Sequence, residues 1–267
     1  MVSSTEPTTQ PLSQTQELEL AQRLSRWRQN PLSTSELAAL LPQVTDPSLA
    51  LAIGERLGMA GPEVFPLLQQ LCESQGLSLP LIRALGICHH PGARDQLLHW
   101  LNQAGPLEPE VLRALSCWGN QIDLSVISHA LAAPGRDHRL AGLALLTFRC
   151  RSLPTSKLLA LSEPLLDDLR AEVVIATLRV LQRRDEPEVL AAINRCIEPN
   201  ALPAVAETAI LALGCINSAA SCQLLLEQLH KLQHSPLASS LKRQLRAQQQ
   251  HQEQIQASLA AMGLALD

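Results

Sequence analysis

Aromatic side chains are scarce in this chain of 267 residues: no Tyr, two Phe and three Trp. Few rings means few platforms on which unpaired bases could stack. The core must therefore be built from Leu, Ala, Val and Ile. Charge is also sparse, at 17% Asp, Glu, Lys and Arg with a formal net charge of −4. That balance argues against a nucleic-acid binder, which would display a basic stripe. No apolar run approaches the roughly 20 residues a bilayer-spanning helix needs. The opening Met1-Val2-Ser3-Ser4-Thr5-Glu6-Pro7 has neither a basic n-region nor an apolar h-region. Seven cysteines, an odd number, lie scattered through apolar runs, where a free thiol behaves as a small buried hydrophobe. These features lead us to expect a reduced, cytoplasmic protein. Also missing are a Gly-rich phosphate loop, a nucleophile elbow and a paired-helix carboxylate motif, so no self-contained active site is legible.

What the chain does have is a recurring phrase. An Ala/Leu-rich run, a tight turn and a second Leu-rich run return about every 31 residues. The first run reads Leu49-Ala50-Leu51-Ala52-Ile53-Gly54-Glu55-Arg56-Leu57-Gly58, then Leu79-Pro80-Leu81-Ile82-Arg83-Ala84-Leu85-Gly86. It comes back at Val111 to Gly119 and at Ala206 to Gly214, and two copies without the closing glycine, Arg139 to Cys150 and Glu172 to Arg183, fill the gap. One such unit cannot bury its apolar face alone, so the copies are expected to stack. The predicted fold is all-α: a right-handed α-solenoid of about six helical hairpins with N- and C-terminal capping helices.

The boundaries follow from composition. Residues 1–16 are polar and read as a disordered tail. Residues 17–46 read as capping helices, with Ser33 or Thr34 as a helix start. The repeats occupy 47–232, with helix pairs at 47–59 and 62–74, 79–89 and 92–103, 109–118 and 123–132. Further pairs are expected at 138–150 and 155–166, 171–183 and 186–197, and 202–216 and 218–232. Residues 233–267 read as a C-terminal helix whose polar middle, Arg246 to Gln254, separates two leucine stripes. It is expected to lid the last repeat.

At Leu81-Ile82-Arg83-Ala84-Leu85-Gly86-Ile87-Cys88-His89-His90-Pro91-Gly92-Ala93-Arg94-Asp95-Gln96-Leu97-Leu98 the chain resembles a HEAT-like repeat. It looks most like the short class found in the phycobilin lyases, the bilin-attaching enzymes of antenna proteins, and their chaperone-like relatives. Glu108-Pro109-Glu110-Val111-Leu112-Arg113-Ala114-Leu115 and Asp168-Leu169-Arg170-Ala171-Glu172-Val173-Val174 fit the same acid–arginine pattern. The resemblance covers about residues 46–232 and implies a protein-binding scaffold or chaperone-like factor in phycobiliprotein and phycobilisome biogenesis. The alternatives are a bilin lyase or isomerase acting with a partner subunit, and a general adaptor unrelated to antenna proteins. It implies a phycobiliprotein subunit or a second lyase-like subunit as partner, and a bilin as the one cofactor to consider. No catalytic residue carries over.

Three groups of residues are candidates for function. In stacked hairpins the second helices line the inner curve. With Leu97, Leu98 and Leu101 expected to take the core, Gln96, His99, Trp100 and Gln103, flanked by His129 and Arg195, are expected to form a partner-binding strip, in which Trp100 is an anchor if partly exposed and core if buried. Guanidinium forks suit carboxylates, which makes Arg179, Arg183 and Arg184 candidates for an anion such as a bilin propionate. The bland reading sets Asp137, Asp167, Asp168, Asp185, Glu186 and Glu188 against the arginines of this region in a surface ladder. Cys88, Cys117, Cys150 and Cys215 fall near the ends of first helices and could form a thiol row, or simply fit where helices converge. Cys88, His89 and His90 point different ways on a helix, and zinc normally takes four ligands, so no metal centre is expected.

Overall fold

Helix starts in this chain are set by short side-chain caps and N-terminal prolines. Ser33 accepts a hydrogen bond from the Glu36 backbone while the Glu36 carboxylate reaches back to Ser33. Asp46 accepts from the Ser48 and Leu49 backbones ahead of Pro47, Asp123 caps the helix after it, and Ser218 forms another reciprocal box with Ser221. Each device satisfies N–H groups that a helix start would otherwise leave unpaired.

The computed structural model describes residues 10–198 and 202–266. Those residues are helical, with no strand among them. They form two units, Met1–Trp118 and Gly119–Asp267. In the first, the helices are α1 (Gln14–Ser25), α2 (Thr34–Leu40), α3 (Pro47–Met59), α4 (Phe65–Gln75), α5 (Leu79–Cys88), α6 (Pro91–Leu101) and α7 (Glu108–Ala114). The second holds α8 (Leu124–Ala132), α9 (Arg136–Arg149), α10 (Thr155–Ser162), α11 (Ala171–Leu181) and α12 (Pro187–Arg195). It continues with α13 (Pro203–Ile216), α14 (Ala219–Lys231), α15 (Ala238–Ala247) and α16 (Gln252–Met262).

The expected tail ends early. Residues 1–9 lie outside the described set, but a capping box between Ser13 and Gln16 starts α1 three residues before Glu17. The expected single C-terminal helix is two. The backbone leaves the helix at Gln248, whose buried side chain donates to the Gly214 carbonyl at 2.9 Å and the Gln244 carbonyl at 3.1 Å. Within its polar stretch one glutamine thus serves as a buried joint. α15 rests on α13 and α14, and α16 on α14.

Packing follows the sequence period inside each unit. α3 packs on α5 and α5 on α7; in the second unit α9 packs on α11, α11 on α13 and α13 on α15. The α10, α12, α14 and α16 helices contact one another in turn. The phrase-ending glycines sit where consecutive first helices approach closest. A Cβ on Gly58 would stand 2.7 Å from the Ala84 carbonyl oxygen, and one on Gly214 would run into Gln244. Gly54 lies directly under the Pro80 carbonyl. Recurrence of glycine in the sequence is thus recurrence of a helix crossing.

In the second unit, side chains also tie hairpins to the ones before them. Arg184 donates to the Cys150 carbonyl at 2.6 Å, the Leu153 carbonyl at 2.8 Å and Thr155 Oγ1 at 2.9 Å, while pairing with Glu186. Arg149 reaches the Asn120 carbonyl at 2.9 Å, and Gln228 the Asn194 Oδ1 at 2.9 Å. Asp168, its side chain 2% exposed, is clamped by Arg139 and Arg170. The same two arginines donate to the Ala133 and Pro134 carbonyls at 2.7 and 2.9 Å. Hydrogen bonds led by that of the Arg170 side chain hold the Asp168 carboxyl well below the usual carboxylate range.

Replacing Gly54 by Ala sets helix propensity, worth up to about 1 kcal/mol in favour of Ala, against a clash with rigid backbone, typically about 1–3 kcal/mol. The clash is expected to win. Gly54→Ala should lower the urea midpoint and the melting temperature by several degrees, and an unchanged or raised midpoint would contradict this close approach.

Candidate functional site: an apolar and basic face on α9, α11 and α13

A buried stripe on a helix fixes which residues are left outside. In α6 the stripe is Ala93, Leu97 and Trp100, continued by Ala104. These residues recur at the three- and four-residue spacing of one helix face. The phase differs from the expected one built on Leu97, Leu98 and Leu101, and it carries Trp100 inward. Trp100 is 6% exposed, so it is core and not an interface anchor. Gln96 is half-buried, while His99 and Gln103 are exposed, as are His129 on α8 and Arg195 at the end of α12. Arg195 is engaged with Glu163 at 3.0 Å. What remains of the expected strip in the first unit is polar.

The cysteines separate by environment. Cys72, Cys88, Cys150 and Cys222 are buried. Burial pushes the Cys72 thiol up to about 12 and the half-buried Cys117 and Cys196 to about 11. Cys88 and Cys150 are also raised by burial; Arg183, Arg151 and Arg184 pull Cys150 the other way without overcoming it. Cys88 donates its S–H to the Leu85 carbonyl at 3.4 Å and Cys117 to the Gly86 carbonyl at 3.5 Å. Protonated thiols of this kind are poor nucleophiles and poor metal ligands. Cys215 alone of the seven is exposed.

The histidines beside Cys88 are structural. His89 takes the left-handed conformation that ends α5, at φ 56°, with its ring edge-on to Trp118. His90 caps α6 through Nδ1, which accepts from the Gly92 N–H at 3.1 Å, and stacks on Phe65 at 4.3 Å. Among the described residues no group of three His, Cys, Asp or Glu is placed to hold a metal ion.

The arginine candidates divide as well. Arg184 is consumed by the carbonyls and the carboxylate it ties together, and so is not available to an anion. This corrects its assignment. Arg179 and Arg183 are exposed one turn apart on α11 and its C-terminal end, and neither has a carboxylate partner among the described residues. Much of the surrounding charge forms the expected ladder: Arg139 and Arg170 with Asp168, Arg136 with Asp137, Arg184 with Glu186.

Exposed apolar side chains stand on both helices that pack on α11. Phe148 on α9 is 49% exposed and Leu211 on α13 is 48% exposed. Arg179 and Leu211 each follow a buried pair directly, Thr177–Leu178 and Ala209–Ile210, and so share one helical phase on the packed helices α11 and α13. The α9 residue in that phase is Thr147, after Leu145–Leu146, and Phe148 lies one position further round, against the Gly119 backbone. One turn further on come Arg151, Arg183 and Cys215. These line a cleft of about 420 Å³ together with Gln182, Arg184, Asp185, Glu186 and Ile216. Sequence reasoning passed over Phe148 and Leu211, though their spacing from Arg179 follows the repeat length.

A second cleft, of about 620 Å³, lies between α1 and α3. Its floor is Leu18, Ala21, Leu24, Leu49 and Ala52, but its rim groups are occupied. Glu17 accepts from Thr45 and Asp46, Asp46 caps α3, and the Arg56 guanidinium stands 5.0 Å over the Trp27 ring.

No family model matches the chain, and neither the curated proteins nor the solved structures provide a match.

Thiol accessibility checks this arrangement. Ellman's reagent at neutral pH should modify one thiol rapidly in the folded chain, and Cys215→Ser should abolish that fast phase. Cys72, Cys88, Cys150 and Cys222 should react only on unfolding, with the half-buried Cys117 and Cys196 slower than Cys215. A fast phase that survives Cys215→Ser and maps to one of the four buried thiols would refute this arrangement.

Proposed function

We propose that this chain is a protein-binding scaffold, a right-handed α-solenoid of about six HEAT-like hairpins. In this reading it is a cytoplasmic, chaperone-like factor or lyase subunit in phycobiliprotein biogenesis. Its partner is a phycobiliprotein subunit or a second lyase-like subunit. One observation carries the binding role: Phe148 on α9 and Leu211 on α13 are half-exposed apolar side chains on the two helices that pack on α11, which carries the exposed Arg179. Exposed apolar side chains around an arginine are the make-up of an interface hot spot. The antenna-protein role rests on the resemblance of the repeats alone. No helix among the described residues is long and apolar enough to cross a membrane.

The second reading is a bilin lyase or isomerase acting with a partner subunit. What favours it is the cleft in which Arg151 and Arg183 stand beside the exposed Cys215, since guanidinium forks suit the propionates of a bilin.

Titration of the purified chain against an apo phycobiliprotein subunit, with and without phycocyanobilin, separates the readings. The scaffold reading expects a complex with the apo subunit and no covalent colour. It also expects Phe148→Ala with Leu211→Ala to weaken the complex by about 2 kcal/mol or more, with the melting temperature nearly unchanged. Coloured covalent product without a second subunit would establish the lyase reading. A complex indifferent to the double variant would remove this face from the proposal.

A further inference from the structure

We infer that the cleft between α1 and α3 receives α1 of a second copy of this chain, laid antiparallel, so that the exposed Leu18 of each copy enters the floor of the other. This contact lies in the first unit and does not depend on the partner surface proposed on α9, α11 and α13.

The cleft is a helix face that the chain leaves uncovered. α5 has α3 on one side and α7 on the other. α3 packs closely on α5 but meets α1 only lightly, and the space of about 620 Å³ opens between α1 and α3. Its lining steps by three and four residues, through Leu18, Ala21 and Ser25 on α1 and through Ser48, Ala52 and Arg56 on α3, so each helix offers one face to it. The alanines leave room at the middle of the floor. Leu18 stands on the rim, 61% exposed, and does not fill that room. A helix set into a groove between two others would do so.

Charge decides which helix. Glu17 accepts from Thr45 and from the Asp46 N–H, which joins the first turns of α1 and α3. At the other end Arg56 stands over the ring of Trp27, just beyond α1. The two helices therefore run parallel, and their groove has an acidic end and a basic end. These rim groups are engaged but not neutralised. Glu17 and Asp46 have no cation paired with them among the described residues, and the Thr45 N–H holds the Glu17 carboxyl below its usual range although Asp46 pushes it up. Arg56 has a ring beneath it and no carboxylate partner among the described residues; Glu55, its neighbour in sequence, does not line the cleft. A two-fold axis through the middle of such a groove lays each acidic end on the basic end of the other copy. The surface is thus complementary to itself turned end for end, which is what an isologous dimer requires. A partner helix of one charge sign would be repelled at one end. From Gln14 to Ser25 the lining face of α1 is about 16 Å long, so the axis passes near Leu18 and sets residue 14 of one copy beside residue 25 of the other.

Sedimentation velocity on the full-length chain, from low to high micromolar concentration, tests this. The expected result is a monomer–dimer equilibrium that Leu18→Lys weakens about tenfold or more. Gln14→Lys and Ser25→Glu should each weaken it as well, because the first sets a cation against the partner's Arg56 and the second an anion against the partner's Glu17. Both changes in one chain should recover most of the loss, since the new lysine then faces the partner's new glutamate. Within one chain the two positions lie about three turns apart on α1 and do not meet. Gln14, Leu18 and Ser25 are all exposed, and a thermal melt confirms that each variant folds. A chain that stays monomeric throughout, a dimer indifferent to Leu18→Lys, or a double variant no better than the weaker single one would overturn the inference.

Discussion

Contact between one helical hairpin and the next is the constraint on which everything else in this protein depends. A pair of short helices rich in Leu and Ala has apolar surface on two sides and can cover only one of them itself. Within each unit the first helices close on one another at the glycine crossings, and in the second unit α10, α12, α14 and α16 follow suit. With only two Phe and no Tyr, the core has few bulky rings to hold helices apart. Small residues therefore set the approach. The crossing of Gly54 under Pro80 and of Gly58 over Ala84 is the local form of that rule.

The polar groups obey the same order. Arg184, Arg149, Gln228 and Gln248 each reach a group 29 to 34 residues away. The ties of Arg184, Arg149 and Gln248 satisfy backbone carbonyls at or just beyond helix ends, while Gln228 meets the Asn194 side chain. Asp168 joins two arginines and, through them, the loop at Ala133 and Pro134. Groups engaged in this way are withdrawn from function. Phe148, Arg151, Arg179, Arg183, Leu211 and Cys215 are among the groups that the packing leaves over for a partner.

Helix positions were legible in the sequence because they depend on local signals. The caps Asp46, Asp123 and Ser218 and the prolines 47, 91, 187 and 203 bound their helices within a few residues of the expected ends. Helix phase was less legible. Leu97, Leu98 and Leu101 suggested one buried stripe for α6, while the observed stripe runs through Ala93, Leu97 and Trp100; an alanine at a crossing carries little weight in a hydrophobic pattern. Arg184 looked like its neighbours Arg179 and Arg183, and only the carbonyls of Cys150 and Leu153 set it apart. Those carbonyls belong to another hairpin, which no local pattern can show. Phe148 and Leu211 went unnoticed for the opposite reason, since an apolar residue in an apolar run reads as core.

Hydrogen exchange in the Arg184→Ala variant tests most directly whether the hairpins hold one another in place. Arg184 links the end of α11 to the turn between α9 and α10. If coupling between copies sustains the fold, removing this side chain should speed exchange in both turns together, around Arg151 to Lys157 and around Asp185 to Leu190. It should do so more than in the distant α15. Faster exchange confined to the turn that carries residue 184 would contradict the account.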